Sequence, residues 1–175
     1  MTIEQTPNDQ KDILKGLQAA DSIKVIETLE ELRISGKAAD IPILIEMLHV
    51  SQNPEIKSKI TDLFDNLKES NAIPLIIEAI KNQKYASELK ELVSSCWENG
   101  MDYSKYISLF IDLLIENELE IAFEAYTVIM NTENKIDQNI IGQEIERLEK
   151  ALPTVSDTKR QLMLDVIDFL PSIRI

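Results

Sequence analysis

The 175-residue sequence has one cysteine, one histidine, one tryptophan, four glycines and six prolines. A single thiol, Cys96, excludes an internal disulfide framework and fits a reducing compartment. With His49 as the other lone candidate ligand, no His- or Cys-rich metal centre can be assembled, so no metal and no cofactor is expected. Glycine-rich phosphate loops, nucleophile elbows and calcium loops are missing too, which leaves the common routes to catalysis without residues. Bases are scarce: 18 lysines and arginines stand against 31 acids, a formal net charge of −13. Phosphates are neutralised by Lys and Arg, so this balance disfavours nucleic acid and anionic membrane surfaces as partners. No stretch approaches the roughly 20 apolar residues of a bilayer span, and MTIEQTPNDQ has no basic segment followed by an apolar run. A cytoplasmic protein is the simplest expectation.

What the chain does have is helix-forming material. Apolar residues make up 44% and charged residues 28%, and no alternating Val/Thr-rich run asks for a strand. Residues 1–8 carry no periodicity and are expected to be disordered; residues 9–175 read as one domain. A first short helix is expected from Asp9 to about Ala20, with Gly16 as a blemish in it. Asp21 is a natural N-cap for SIKVIETLEELRISG, with Ile23, Ile26 and Leu29 on its apolar face. Asn53 caps the helix that begins at Pro54, and Pro42 sits in a first turn, where a missing N–H costs nothing. Ten short helices follow one another along the chain. The two running through ISLFIDLLIEN and LEIAFEAYTVIMN are apolar around most of their surface, and so need neighbours on both sides.

Two stretches, DIPILIEML at 40–48 and AIPLIIEAI at 72–80, share Ile-Pro and an acid four positions later. The acid recurs at Glu46, Glu78, Asp112 and Glu146, with spacings of 32, 34 and 34 residues. Around it the apolar positions keep step: Ile41, Ile73, Ile107 and Ile141; Ile45, Ile77, Ile111 and Ile145; Leu48, Ile80, Leu114 and Leu148. The intervening helices open with Ile23-Lys24, Ile56-Lys57 and Leu89-Lys90, although the register inside them then drifts. A period of 32 to 34 residues in helix pairs marks a stacked α-solenoid. The fold expected is all-α, an α-α superhelix of about ten short antiparallel helices.

The apolar-plus-basic pairs and the AIPLIIEAI-type second helices resemble the HEAT-repeat family, in particular short bacterial HEAT-like repeats of the phycobilin-lyase type. The resemblance covers roughly residues 21–152. It implies a right-handed solenoid with first helices on the convex side, second helices on the concave side, and partners in the concavity. Most such proteins bind proteins and carry no chemistry of their own. The family normally has Val-Arg at the first pair, and the fourth copy here, Ala122-Phe123, lacks the base.

The candidate sites divide accordingly. Cys96 continues the stripe of Leu89, Leu92 and Val93, and reads as core rather than nucleophile. His49, ending a helix, favours the C-terminal dipole in its charged form. A 100° step per residue puts Glu46 nearly opposite its buried stripe, so Glu46, Glu78, Asp112 and Glu146 form a ladder of acids on the open side of the second helices. Between Lys105 and Lys135 there is no base at all, and Glu116, Glu120 and Glu124 in that gap are candidates for a flanking acidic patch. The function expected is a non-enzymatic scaffold whose acidic concave surface binds a protein with a basic segment. The alternative is an accessory or lyase-like module of a modifying enzyme, holding a large apolar cofactor or substrate. The C-terminal DTKRQLMLDVIDFLPSIRI reads as a first helix without its second. Asp157, Lys159, Arg160, Asp165 and Asp168 are expected on its outer face, with a monomer or a weak dimer formed through this end.

Overall fold

The computed structural model describes residues 12, 13, 15–19 and 21–175. The segment 1–8, expected to be disordered, and the expected start of the first helix lie outside them. Residues 12, 13 and 15–17 are helical. Nine α-helices follow: α1 Ser22–Ser35, α2 Ile41–Val50, α3 Pro54–Asp65, α4 Ile73–Lys81, α5 Leu89–Glu98, α6 Ile107–Glu116, α7 Leu119–Met130, α8 Gln138–Ala151 and α9 Asp157–Phe169. Among the described residues no strand forms, and one isolated bridge joins Ile136 to Arg174.

The ends of these helices follow from local chemistry. Asp21, Asn53 and Asp137 are N-caps whose side chains accept from the backbone N–H two residues on, meeting one of the unpaired donors of a first turn. Proline lies in the first turn of α2, α3 and α4. Past α5, Gly100 has φ of +65°, the left-handed conformation that a glycine adopts without steric cost after a helix C-cap.

The helices form two rows. Odd-numbered helices pack in series, α1 on α3, α3 on α5, α5 on α7 and α7 on α9. In the second row α2 meets α4 and α6 meets α8, and each even helix also packs on the odd helix that follows it. Every element thus touches near neighbours only, the all-α solenoid arrangement. The even row carries the repeat most faithfully. Ile41, Leu44, Ile45 and Leu48 are buried, as are Ile73, Ile76, Ile77 and Ile80, and Ile107, Phe110, Ile111 and Leu114. Short 3-10 turns, Ala38–Asp40, Ser70–Ala72 and Ser104–Tyr106, lead into α2, α4 and α6, so the turn is repeated along with the helix.

The odd row departs from the sequence reading in three places. In α1 the buried residues are Val25, Thr28, Leu29 and Leu32, while Ile23 is 66% exposed. Ile23-Lys24 therefore does not occupy the register of Ile56-Lys57, whose isoleucine is buried. Gly16 lies so close to Thr28 that a Cβ there would come 2.2 Å from Oγ1. Thr28 is buried against it, and the glycine is a packing feature, not a blemish. In α7 the neighbours α5, α6 and α9 cover much of the surface, yet Leu119 and Phe123 stay 43% and 51% exposed. At the C-terminal end Lys159 is buried, not part of a polar outer face. Its ammonium donates to the carbonyls of Ile115 and Asn117 at the end of α6, as cations near helix C-termini do.

The place of a second helix after α9 is filled by a 3-10 turn, Leu170–Ile173, with Leu170 and Ile173 buried. The tail pairs with the segment before α8: Ile136 N–H donates to Ile173 C=O at 2.8 Å, and Ile175 N–H to Ile136 C=O at 2.9 Å.

Candidate functional site

The four recurring acids all lie on the even row, but their surroundings differ. Glu46 on α2 is half-buried and accepts from Lys84 Nζ at 2.5 Å and from the Tyr85 hydroxyl at 2.9 Å. The Lys84 ammonium also stands 5.3 Å from the centre of the Tyr85 ring. The lysine first, and then the tyrosine, hold the Glu46 carboxyl below the usual range. Asp112 on α6 pairs with Arg147 of α8, whose guanidinium also donates to the buried Glu144 at 2.7 Å. Glu146 pairs with Lys150 one turn along α8 at 2.6 Å, which lowers its carboxyl too.

Glu78 on α4 is different: it is exposed and makes no hydrogen bond or ion pair with the described residues. It stands on a groove of about 240 Å³ between α2 and α4, lined also by Pro42, Ile45, Leu75, Ala79, Asn82 and Tyr85. The sequence accounts for the missing partner. The cations on Glu46 and Asp112 come from the next repeat, 38 residues on (46 to 84) and 35 residues on (112 to 147). The same steps from Glu78 reach Glu116 and Leu113, inside the stretch without bases.

Ala79 is the smallest side chain lining the groove. At its repeat position α2 has Met47, α6 has Leu113 and α8 has Arg147, at spacings of 32, 34 and 34. Only α4 has a methyl group there.

The acids expected to flank the ladder do not gather beside it. Glu116 is exposed at the end of α6, but Glu120 and Glu124 are on α7, in the other row. Glu120 lies 3.4 Å from Lys90, and Glu124 accepts from the Trp97 indole N–H at 2.8 Å. Cys96 is buried, its thiol donating to Leu92 C=O at 3.3 Å, and burial pushes it up to about 12. A thiol held so far from ionisation is a core residue. Cys96 also borders a second cleft of about 240 Å³, walled by Trp97, Gly100, Asp102, Tyr103 and Glu133 among others.

His49 ends α2 as expected, but its ring also has a partner that the sequence does not announce. Nδ1 lies 2.9 Å from Glu88 Oε2, and the ring meets Tyr85 edge-on at 5.6 Å. Glu88 is buried; Ser87 Oγ donates to both its oxygens and Lys57 lies 3.9 Å away. Each polar group there is matched by another, and the serine is turned to the carboxylate, not to the histidine. Among the described residues no group of three His, Cys, Asp or Glu side chains could hold a metal ion.

No family model and no curated protein matches the chain. Among solved structures seven chains match. One, the crystal structure of an engineered protein from a structural genomics consortium, is 15% identical over 94% of this chain and 80% of that chain, with a TM-score of 0.45. The architecture above stands on the packing of this chain itself. No described helix is long and apolar enough to cross a membrane.

Proposed function

We propose that this chain is a non-enzymatic, HEAT-like binding scaffold, and that the acidic surface of its even-numbered helices receives a protein with a basic segment. The observation that carries the reading is Glu78, a carboxylate left without an internal cation on a face where Glu46, Asp112 and Glu146 each have one. Exposed pairs contribute only about 0–1 kcal/mol apiece, so the surface works chiefly by steering a cationic partner into place. The clefts beside Glu78 and Cys96 hold about 240 Å³ each, below the roughly 300–1,000 Å³ typical of small-molecule sites. Nothing in them favours the alternative of a large apolar cofactor.

The test is the association of an octa-lysine peptide, followed by stopped-flow fluorescence at about 20 and about 200 mM salt, where screening differs severalfold. Octa-lysine should bind, faster at the lower salt, and octa-glutamate should not. A variant with Glu46, Glu78 and Glu146 changed to Gln and Asp112 to Asn should slow association at the lower salt and flatten its salt dependence. Equal behaviour of the two peptides, or unchanged kinetics in the variant, would refute the reading.

A further inference from the structure

Resting on that reading, we infer that the groove at Glu78 is a socket for one lysine or arginine side chain of the partner, which fixes where a basic segment sits along the stack.

The internal pairs act as templates. Where α2 presents Glu46, the repeat that follows returns Lys84, with its ammonium on the carboxylate and near the Tyr85 ring. Where α6 presents Asp112, the repeat that follows returns Arg147. Each is a long cationic side chain reaching back to an acid of the preceding even helix. At Glu78 the acid is present and the returning cation is not. The open space beside Glu78 lies on its α2 side, where α4 has Ala79 at the position of Met47 and Leu113.

The walls suit such a stem and its head. Pro42, Ile45, Leu75 and Ala79 offer apolar surface, along which the methylenes of Lys or Arg pack while the charge stays wet. Glu78 waits at the surface for that charge. Tyr85 adds an aromatic wall to the same groove, and aromatic faces attract cations. An anionic or purely apolar side chain would leave Glu78 either repelled or desolvated without a partner. The occupant is thus a basic side chain belonging to a chain long enough to continue along the even row.

The decisive experiment titrates isotope-labelled protein with octa-lysine at low salt and follows backbone amide shifts, for the wild type, Glu78→Gln and Ala79→Met. Glu78 is exposed, so its amide replacement leaves the fold intact. Ala79→Met keeps the charge and fills the groove with the residue that α2 already has at that position. Shifts should centre on Ile45, Leu75, Ala79 and Tyr85. Glu78→Gln should weaken binding about 1.4- to five-fold, the range of a single exposed pair, and Ala79→Met should remove the groove shifts while leaving weak, salt-sensitive association. Binding whose shifts lie elsewhere, or which Glu78→Gln does not weaken, overturns the socket and leaves the acidic-face reading standing. No binding of octa-lysine by the wild type overturns both.

Discussion

Replacing Lys159 by Met tests whether the end of the stack is held by a polar lock. Lys159 is 9% exposed, and its Nζ lies 2.5 Å from Ile115 C=O and 2.7 Å from Asn117 C=O. Ile115 is in the last turn of α6, where carbonyls have no partner within the helix. Methionine keeps most of the stem's packing but leaves both carbonyls without their donor. A hydrogen bond to a charged group contributes about 1.5–3 kcal/mol. Burial works against this, depressing the lysine's pKa, because the ammonium is itself desolvated in the folded state. Set together, these effects give a net loss of about 2 kcal/mol for the two bonds. For a chain of this size that is about 4–8 °C in Tm, or about 0.7–1 M in urea midpoint at an m-value of 2–3 kcal/mol/M. The control is Lys150→Met, which removes the same charge from a side chain 71% exposed and should move stability by no more than about 0.5 kcal/mol. If the two variants unfold alike, the carbonyls are served by water and the lock contributes nothing.

Two further outcomes follow from buried titratable groups. Burial first, with the neighbouring Glu98 and Asp62, raises the Asp65 carboxyl from 3.8 to about 6, and its Oδ1 has no hydrogen-bond partner. The folded state then retains a proton that the unfolded chain loses between these values. The penalty is absent below the unfolded value and complete above the folded one, so this group's contribution to stability falls as pH rises from 3.8 to about 6. Full linkage would be about 3 kcal/mol; water reaching part of the side chain reduces it to about 1 kcal/mol. Asp65→Asn should accordingly be more stable than the wild type near neutral pH and no more stable at pH 3.5, by urea midpoints; equal stability at both would refute the assignment. Cys96 should react with a thiol reagent slowly in the native protein and at once in denaturant, and rapid native labelling would overturn its place in the core.

The even row was legible because it obeys one rule three times, with a fourth copy, Ile141-Gly142, that departs from it by Glu144 at i+3. An Ile-Pro or Ile-Ser start followed by apolar residues at i, i+3, i+4 and i+7 leaves a single way to orient the helix. The odd row was less so, because its faces are shared among several neighbours and no single stripe dominates. Ile23 matches Ile56 by spacing but is exposed, while Val25, Thr28 and Leu29 take the buried face of α1. The 3-10 turns left no periodic signal. At the site, the recurrence of the acids and the absence of bases after Lys105 were both visible in the letters. Their consequence was not, because it depends on cations reaching back 35 and 38 residues from a neighbouring repeat. Ala79 was hidden for a plainer reason: a small residue on an apolar stripe reads as ordinary core until the larger residues at its repeat positions are set beside it.

The pairing also changes what the ladder can do. Four free carboxylates along the even row would attract a basic chain equally well at every rung and give it no register. With Lys84, Arg147 and Lys150 in place, and Arg147 shared between Asp112 and Glu144, three rungs have a cation at hand and Glu78 alone has none. Steering by the wider −13 of the chain can still bring a cationic partner close, since long-range attraction follows the summed field. Its final position, however, follows the one rung whose charge is uncompensated and whose groove is open. Replacing all four acids therefore does more than remove four attractions: it frees Lys84 and Lys150 and leaves Arg147 to Glu144, which sets cations against a basic partner on this face. The single change at Glu78 isolates the contact. The quadruple change tests the face.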